Sequence, residues 1–196
     1  MQTDQLQLAF QAFDLANEAD PNREEWQGKQ YAKEVLYAQR MTTCLDQFLP
    51  NASEALKLAA RSQHICRWEI PRADYPLGRK GYNQWRTALK VLHSEKAAEI
   101  LEEIGYEEEI IDRVKFLILK KQLKRDEETQ ALEDVICLVF LEHYFLPFKA
   151  KHSEEKVIDI VQKTWKKMSE EGQQAALQLP LSEEATSLVG KALNAT

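Results

Sequence analysis

The chain has 196 residues, of which 44% are hydrophobic and 30% charged, and these values fit a folded globular domain rather than a disordered or fibrous chain. Its net charge of −6 excludes a protein that coats nucleic acid through a general basic surface, so any anion site must be local. No window approaches the roughly 18 uninterrupted apolar residues of a membrane-spanning helix, so we predict no membrane partner.

Apolar residues recur at helical spacing along most of the chain, and proline and glycine mark the breaks. The predicted helices cover 3–18, 30–48, 52–68, 82–104, 107–121, 127–146 and 153–172, with a short helix after Ser182, whereas 22–29 is predicted to be a loop. Asn51 followed by Glu54 indicates the start of the third helix, Gly105 the end of the fourth and Gly172 the end of the seventh. We predict an all-α fold, a single compact domain over 1–196 of about seven helices.

The cysteines indicate a reducing compartment. Cys44, Cys66 and Cys137 are far apart and form no CxxC pair, and the N-terminal sequence has no basic segment followed by an apolar one. We therefore predict reduced thiols, with Cys137 in the core, and a cytoplasmic location.

Basic residues concentrate in one segment of this acidic chain. Residues 61–86 hold five of the nine arginines and carry six basic against two acidic residues. On the predicted third helix, Arg61, His64 and Arg67 or Trp68 fall on one face. Arginine forks bind phosphate or carboxylate through paired hydrogen bonds, so the segment is predicted to bind an anionic ligand. The candidate ligand-binding residues in it are Arg61, Arg67, Trp68, Arg72, Arg79 and Arg86.

The stretch LGRKGYNQW adds a GxxG loop with two cations just before a helix. Backbone N–H groups at a helix start can hold a phosphate. The loop is similar to the GxxG loop of KH domains, which makes RNA a possible partner. KH domains need a sheet, however, so we rank a nucleotide above RNA.

Two acidic residues, Glu133 and Asp134, lie within the most apolar predicted helix. A buried carboxylate is costly unless a cation or a metal accompanies it. Two interpretations stay open: a buried bridge to the chain's own arginines, which suits an interaction protein, or an acid that holds a metal or serves a phosphate site.

Specific strings resemble an uncharacterised bacterial family catalogued as domain of unknown function 4202. They are QHICRWEIPR, QALEDVICLVFLE and KTWKKMS, and the resemblance runs from about Phe10 to Leu177. The family has no established activity, so it implies no function.

The order of features also resembles the HD superfamily of metal-dependent phosphohydrolases, which are helical. The resemblance implies that LAARSQHICRW corresponds to the helix of the His-Asp pair, that His93 stands where many members carry a histidine, and that Asp134 is the final acid. The sequence departs from the pattern, because His64 has no aspartate after it and only Glu34 or Tyr31 could replace the first histidine.

The resemblance therefore implies one metal ion rather than two, held by Glu34, His64 and Asp134, with zinc, manganese or iron as candidates. The catalytic residues would be His64, Asp134 and His93, and Lys120 would join the arginines in holding a phosphate. The first functional hypothesis is a divergent HD-like phosphohydrolase of a phosphorylated small molecule or nucleotide. The alternative is a non-catalytic binder of an anionic ligand through the arginine-rich loop.

Overall fold

A computed structural model describes residues 2–194 of the protein, with side chains from residue 4 onward. That part of the chain is mostly helical, which confirms the predicted class, but it forms ten α-helices and a two-stranded sheet rather than about seven helices. The elements are α1 Gln2–Glu18, β1 Arg23–Trp26, β2 Lys29–Ala32, α2 Lys33–Phe48, α3 Glu54–Arg61, α4 Gly78–Ile104, α5 Glu108–Ile118, α6 Glu127–Val139, α7 Phe145–Lys149, α8 Glu154–Trp165, α9 Glu170–Leu177 and α10 Glu183–Asn194.

Two compact units make up the chain, with the division between Lys121 and Gln122. In the first unit α1 to α5 pack around a core that includes the fully buried side chains of Phe13, Met41 and Leu101. In the second unit α6 packs against α9, and α8 against α10. The single domain over 1–196 stays a prediction.

A β-hairpin occupies the segment predicted to be a loop and the first residues of the predicted second helix. Strands β1 and β2 pair antiparallel, with Arg23 opposite Ala32 and Trp26 opposite Lys29. The turn residues Gln27 and Gly28 both have positive φ, 50° and 74°. This backbone suits the twist of a two-residue hairpin. The strands are short and mostly polar, so the sequence shows no apolar alternation by which to predict them.

The predicted third helix is correct only in its first half. It begins one residue after Ser53, whose Oγ accepts a hydrogen bond from the Leu56 N–H at 3.1 Å, so Ser53 and not Asn51 is the N-cap. It ends at Arg61, and Cys66 then adopts a left-handed conformation with φ 52°. His64 follows the last helical residue, Arg61, by three positions and lies on a turn, not on a helix face.

Helix α4 starts at Gly78, four residues earlier than predicted, and the GRKG motif forms its first turn rather than a loop. Gly78 has a φ of 83°, which a glycine adopts without strain. A Cβ on Gly81 would stand 1.9 Å from the Pro76 carbonyl oxygen, so the chain approaches closely there. The local backbone therefore explains why both positions are glycine. Gly105, with φ 87°, ends α4 as predicted.

The predicted sixth and seventh helices are each divided. A π-helical segment, Phe140–Tyr144, separates α6 from α7. Helix α8 begins after its N-cap Ser153 and ends at Trp165. Ser169 then starts α9, because its Oγ accepts from the Gly172 N–H at 3.0 Å. Gly172 thus lies inside a helix and does not end one.

Replacement of Gly172 by alanine is expected to destabilise the protein by roughly 1–3 kcal/mol, because its Cβ would overlap a packed side chain. The added carbon would lie 2.7 Å from Cγ of the buried Asp134. Gly190→Ala is the matched control, since that Cβ meets nothing within 4 Å in α10 and should stabilise by roughly 0.5–1 kcal/mol. Urea denaturation measures both, and equal stabilities of the two variants would contradict the expectation.

In the described residues no helix has the length and apolar character to cross a membrane. Cys44, Cys66 and Cys137 form no disulfide bond and are buried, and Cys137 lies in the core as predicted.

Candidate anion-binding site

Glu34 lies buried in the first turn of α2, in the unit formed by α1 to α5. Helix α2 has no side-chain cap from its own N-cap residue, Ala32. Asp20, itself buried, supplies the acceptor instead, and its Oδ2 accepts from the Glu34 N–H at 3.2 Å. The hairpin thus leads the chain into a helix whose first acidic side chain is fixed in place, with 6% of the residue exposed.

His64 lies on the turn after α3, and each of its two ring nitrogens contacts a charged side chain. Its Nδ1 is 3.3 Å from Oε2 of Glu34, and its Nε2 is 3.2 Å from Nη1 of Arg67. A guanidinium only donates, so Nε2 must accept and Nδ1 must carry the hydrogen that is donated to Glu34. Tyr37 stacks on the ring with centroids 3.9 Å apart and planes 12° apart, which fixes its orientation.

Arg67 connects this pair to α4. Its Nε is 3.9 Å from Oε1 of Glu34, and its guanidinium carbon lies 4.8 Å from the centroid of the Trp85 ring. The Trp85 indole donates to the Ile70 carbonyl at 2.9 Å. The aromatic ring is therefore held rigidly, and it supports the cation through its π face.

His93 forms the most buried part of the cluster, with 2% of the residue exposed. Its Nδ1 is 2.7 Å from the Ile65 carbonyl oxygen, and an oxygen there can only accept, so Nδ1 carries the hydrogen. Its ring centroid is 5.8 Å from that of His64. Its Nε2 is buried and finds no hydrogen-bond partner within residues 4–194, which leaves an acceptor lone pair unused.

Arg86 adds a second positive charge that acts on Arg67. It is half-buried on α4, one residue after Trp85, and within the described part of the chain it makes neither a hydrogen bond nor an ion pair. Burial lowers the pKa of Arg67, Glu34 opposes that shift, and the positive charge of Arg86 adds to it. The charges of both arginines therefore act on the site that holds the Glu34 carboxylate.

The protonation states follow from burial and from this positive charge. Burial raises the pKa of Glu34 to about 7, and Arg67 opposes the shift. Burial also lowers the pKa of His64 well below its ordinary value, and the charges of Arg67, Arg86 and Lys120 lower it further. His64 is therefore neutral at physiological pH, and an anion beside the two arginines would relieve their mutual repulsion.

The other predicted ligand residues lie elsewhere or serve the fold. Arg61 binds the Asp14 carboxylate through Nε at 2.9 Å and also through Nη2. Arg72 donates to the Tyr75 and Pro76 carbonyls, each at 2.9 Å, and so closes its own loop. Trp68 is half-buried in a 3-10 turn, Arg67–Glu69, and Arg79 is exposed in the first turn of α4. Their roles in ligand binding stay predictions.

The acidic pair of α6 belongs to the second unit and is buried there as expected. Asp134 accepts from the Ser169 N–H at 2.8 Å, from the Ser169 hydroxyl at 2.7 Å and from the Gln130 amide at 3.0 Å. One Glu133 oxygen is 3.7 Å from Nζ of Lys167. Asp134 therefore joins α6 to the start of α9.

The residues predicted to hold a metal ion have other partners in this structure. Nε2 of His64 faces the Arg67 guanidinium, and both Asp134 oxygens accept hydrogen bonds. Among residues 4–194 no group of three or more histidine, cysteine, aspartate or glutamate side chains is placed to hold a metal ion. Binding of zinc, manganese or iron by Glu34, His64 and Asp134 stays a prediction.

Sequence reasoning missed the aromatic residues of the site. Tyr37 follows Glu34 by three residues on α2, and Trp85 precedes Arg86 on α4. Helical spacing from Glu34 would have found Tyr37, since residues three apart are neighbours on a helix. No sequence signal places Trp85 beneath Arg67, because the two residues lie on different elements.

The fold and the site together define a mostly helical protein with a buried cluster of arginine, histidine and glutamate in its first unit. A family model, Domain of unknown function (DUF4202), matches residues 7–189. The chain therefore belongs to that family. No curated protein and no solved structure matches it.

Proposed function

We propose that this protein binds the phosphate group of a small phosphorylated molecule, such as a nucleotide, at Arg67 and Arg86. One observation supports the proposal above the others. Within the described residues Arg86 is a half-buried guanidinium that makes no ion pair, and its positive charge acts on Arg67, whose own carboxylate partner, Glu34, is 3.9 Å away. A phosphate dianion would bind both forks and offset their repulsion.

The imidazoles of His64 and His93 add neutral hydrogen-bonding groups to the proposed phosphate site. Within residues 4–194 no donor reaches Nε2 of His93, and a hydroxyl of the ligand or a protonated phosphate oxygen would supply one. The ring of His64 lies 5.8 Å from that of His93 and contacts Arg67 through Nε2. The proposed site therefore offers both charge and a directional acceptor, a pairing typical of sites for small ligands.

Arg86→Ala should lower the affinity for inorganic phosphate and for AMP by tenfold or more, since a charge-assisted hydrogen bond contributes roughly 1.5–3 kcal/mol. Arg23→Ala is the matched control, because Arg23 is an exposed arginine whose bridge to Glu18 spans 3.7 Å. Isothermal titration at low salt measures both variants beside the unaltered protein. Equal affinity in the two variants, or no phosphate binding by the unaltered protein, would overturn the proposal.

A second candidate function is hydrolysis of the bound phosphoester, in keeping with the resemblance to HD phosphohydrolases. The Glu34–His64 pair supports it, because a neutral histidine oriented by a carboxylate can act as a general base. Elemental mass spectrometry of the protein and of His64→Ala tests the metal-dependent form. About one equivalent of a transition metal that disappears in the variant would support it, and none in either would exclude that form.

A further inference from the structure

We propose that Nε2 of His64 accepts a phosphoryl group from a phosphate donor, so that the site carries a phosphohistidine intermediate or a phosphorylated state. The inference rests on the proposed phosphate site and adds a covalent step to it. Three features support it: the tautomer of His64, the Arg67 guanidinium beside Nε2 together with the further positive charge of Arg86, and the Glu34 carboxylate beside Nδ1.

The tautomer places the nucleophilic lone pair where the phosphate is proposed to bind. Arg67 donates to Nε2 at 3.2 Å, so that nitrogen is the unprotonated one. Only an unprotonated imidazole nitrogen is a nucleophile, and the contact with Arg67, which can only donate, marks Nε2 as that nitrogen. A phosphate that draws Arg67 onto its own oxygens would leave Nε2 free and facing phosphorus.

The guanidiniums stabilise the charge that develops during the transfer. Arg67 and Arg86 both act electrostatically on His64, and Arg86 has no competing partner in the described chain. Phosphoryl transfer spreads negative charge over the equatorial oxygens, and fixed cations at those oxygens are the main source of rate enhancement. The site therefore has the charge arrangement that the reaction needs.

Glu34 provides the place for the proton. In the step, the Nε2–P bond forms and the bond between phosphorus and the leaving atom breaks, and the leaving atom keeps the electron pair. The Nδ1 proton moves to the Glu34 carboxylate, 3.3 Å away, so the phosphorylated imidazole stays uncharged. An acyl phosphate donor releases a carboxylate, which takes no proton. Phosphoramidate, whose nitrogen already carries its protons, releases ammonia.

The experiment uses phosphoramidate and acetyl phosphate as donors and an exposed histidine of the same chain as the reference. The protein has four histidines, and His152 is exposed whereas 17% of the His64 side chain is exposed. Accessibility alone would label His152 first. We expect the reverse: an acid-labile, alkali-stable phosphoryl group on His64 by peptide mass spectrometry, with the phosphorus resonance of a phosphoimidazole.

Three variants separate the covalent step from folding and from binding. His64→Asn keeps a donor toward Glu34 and should remove the label, whereas His152→Asn should leave it. Arg86→Ala should slow labelling of His64 at least tenfold without changing labelling of His152. Phosphate binding without phosphorylation of His64 would overturn this inference and leave the proposed anion site standing. Labelling confined to His152, or persisting in His64→Asn, would overturn it as well.

Discussion

Replacement of Arg61 by alanine is expected to lower the free energy of unfolding by roughly 3–5 kcal/mol, because it strands a carboxylate in a largely buried pair. The Arg61 side chain is 11% exposed and that of Asp14 26%. Arg61 also donates to the Thr42 hydroxyl at 3.1 Å and lies 5.2 Å from the Phe10 ring. One side chain thus joins α1, α2 and α3.

Chemical denaturation of Arg61→Ala, Asp14→Ala and the double variant measures this coupling. The double variant should lose less stability than the sum of the single ones, because removal of both partners leaves no unpaired charge. Arg23→Ala serves again as the control, since exposed pairs contribute at most about 1 kcal/mol. Strict additivity, or a loss below that of Arg23→Ala, would show that Arg61 is available to a ligand as the sequence predicted.

Acidification is expected to destabilise the protein through His93, and His93→Asn should reduce that dependence. Burial lowers the pKa of His93 from 6.5 to about 3, and the charges of Arg67 and Arg86 act in the same direction, whereas its bond to the Ile65 carbonyl opposes the shift. Between these values the unfolded chain binds a proton that the folded chain does not. The stabilising contribution is therefore present above pH 6.5 and is lost progressively as the pH falls toward 3.

The size of the effect on the free energy of unfolding is roughly 5 kcal/mol over the whole range, at 1.4 kcal/mol for each pKa unit. His64 contributes in the same direction, since its pKa is also lowered. Glu34 acts oppositely: its pKa is raised from 4.5 to about 7, so its contribution is present below 4.5 and is lost as the pH rises through 7. The comparison must therefore be made between proteins that share Glu34 and His64.

Urea denaturation of the unaltered protein and of His93→Asn, from about pH 7 down to about pH 4, isolates the contribution of His93 to the pH dependence of stability. Asparagine retains a donor toward the Ile65 carbonyl but does not titrate. The variant will be less stable at every pH because it leaves a cavity, so only the difference in slope is informative. For the variant, the slope of the free energy of unfolding against pH should be smaller, by the equivalent of up to one bound proton. Parallel curves for the two proteins would contradict a buried, neutral His93.

The sequence predicted the helical class and most helices because their apolar residues recur at the helical period. It also placed Gly105 and Ser153 at helix ends from local chemistry alone, as the structure has them. It failed at the hairpin, at the end of α3 and at the start of α4. Those boundaries depend on positive φ values at Gln27, Cys66 and Gly78, which composition and periodicity do not reveal.

For the site, the sequence by itself determined that positive charge concentrates between Arg61 and Arg86 and that His64 lies within it. Only the tertiary structure decided which arginine faces which partner. Arg61 and Arg67 are six residues apart, yet one turns to α1 and the other to Glu34, because the chain leaves the helix between them. The pairing of Glu34 with His64 joins residues thirty positions apart. Long-range packing fixed that pair, and no local rule in the sequence specifies it.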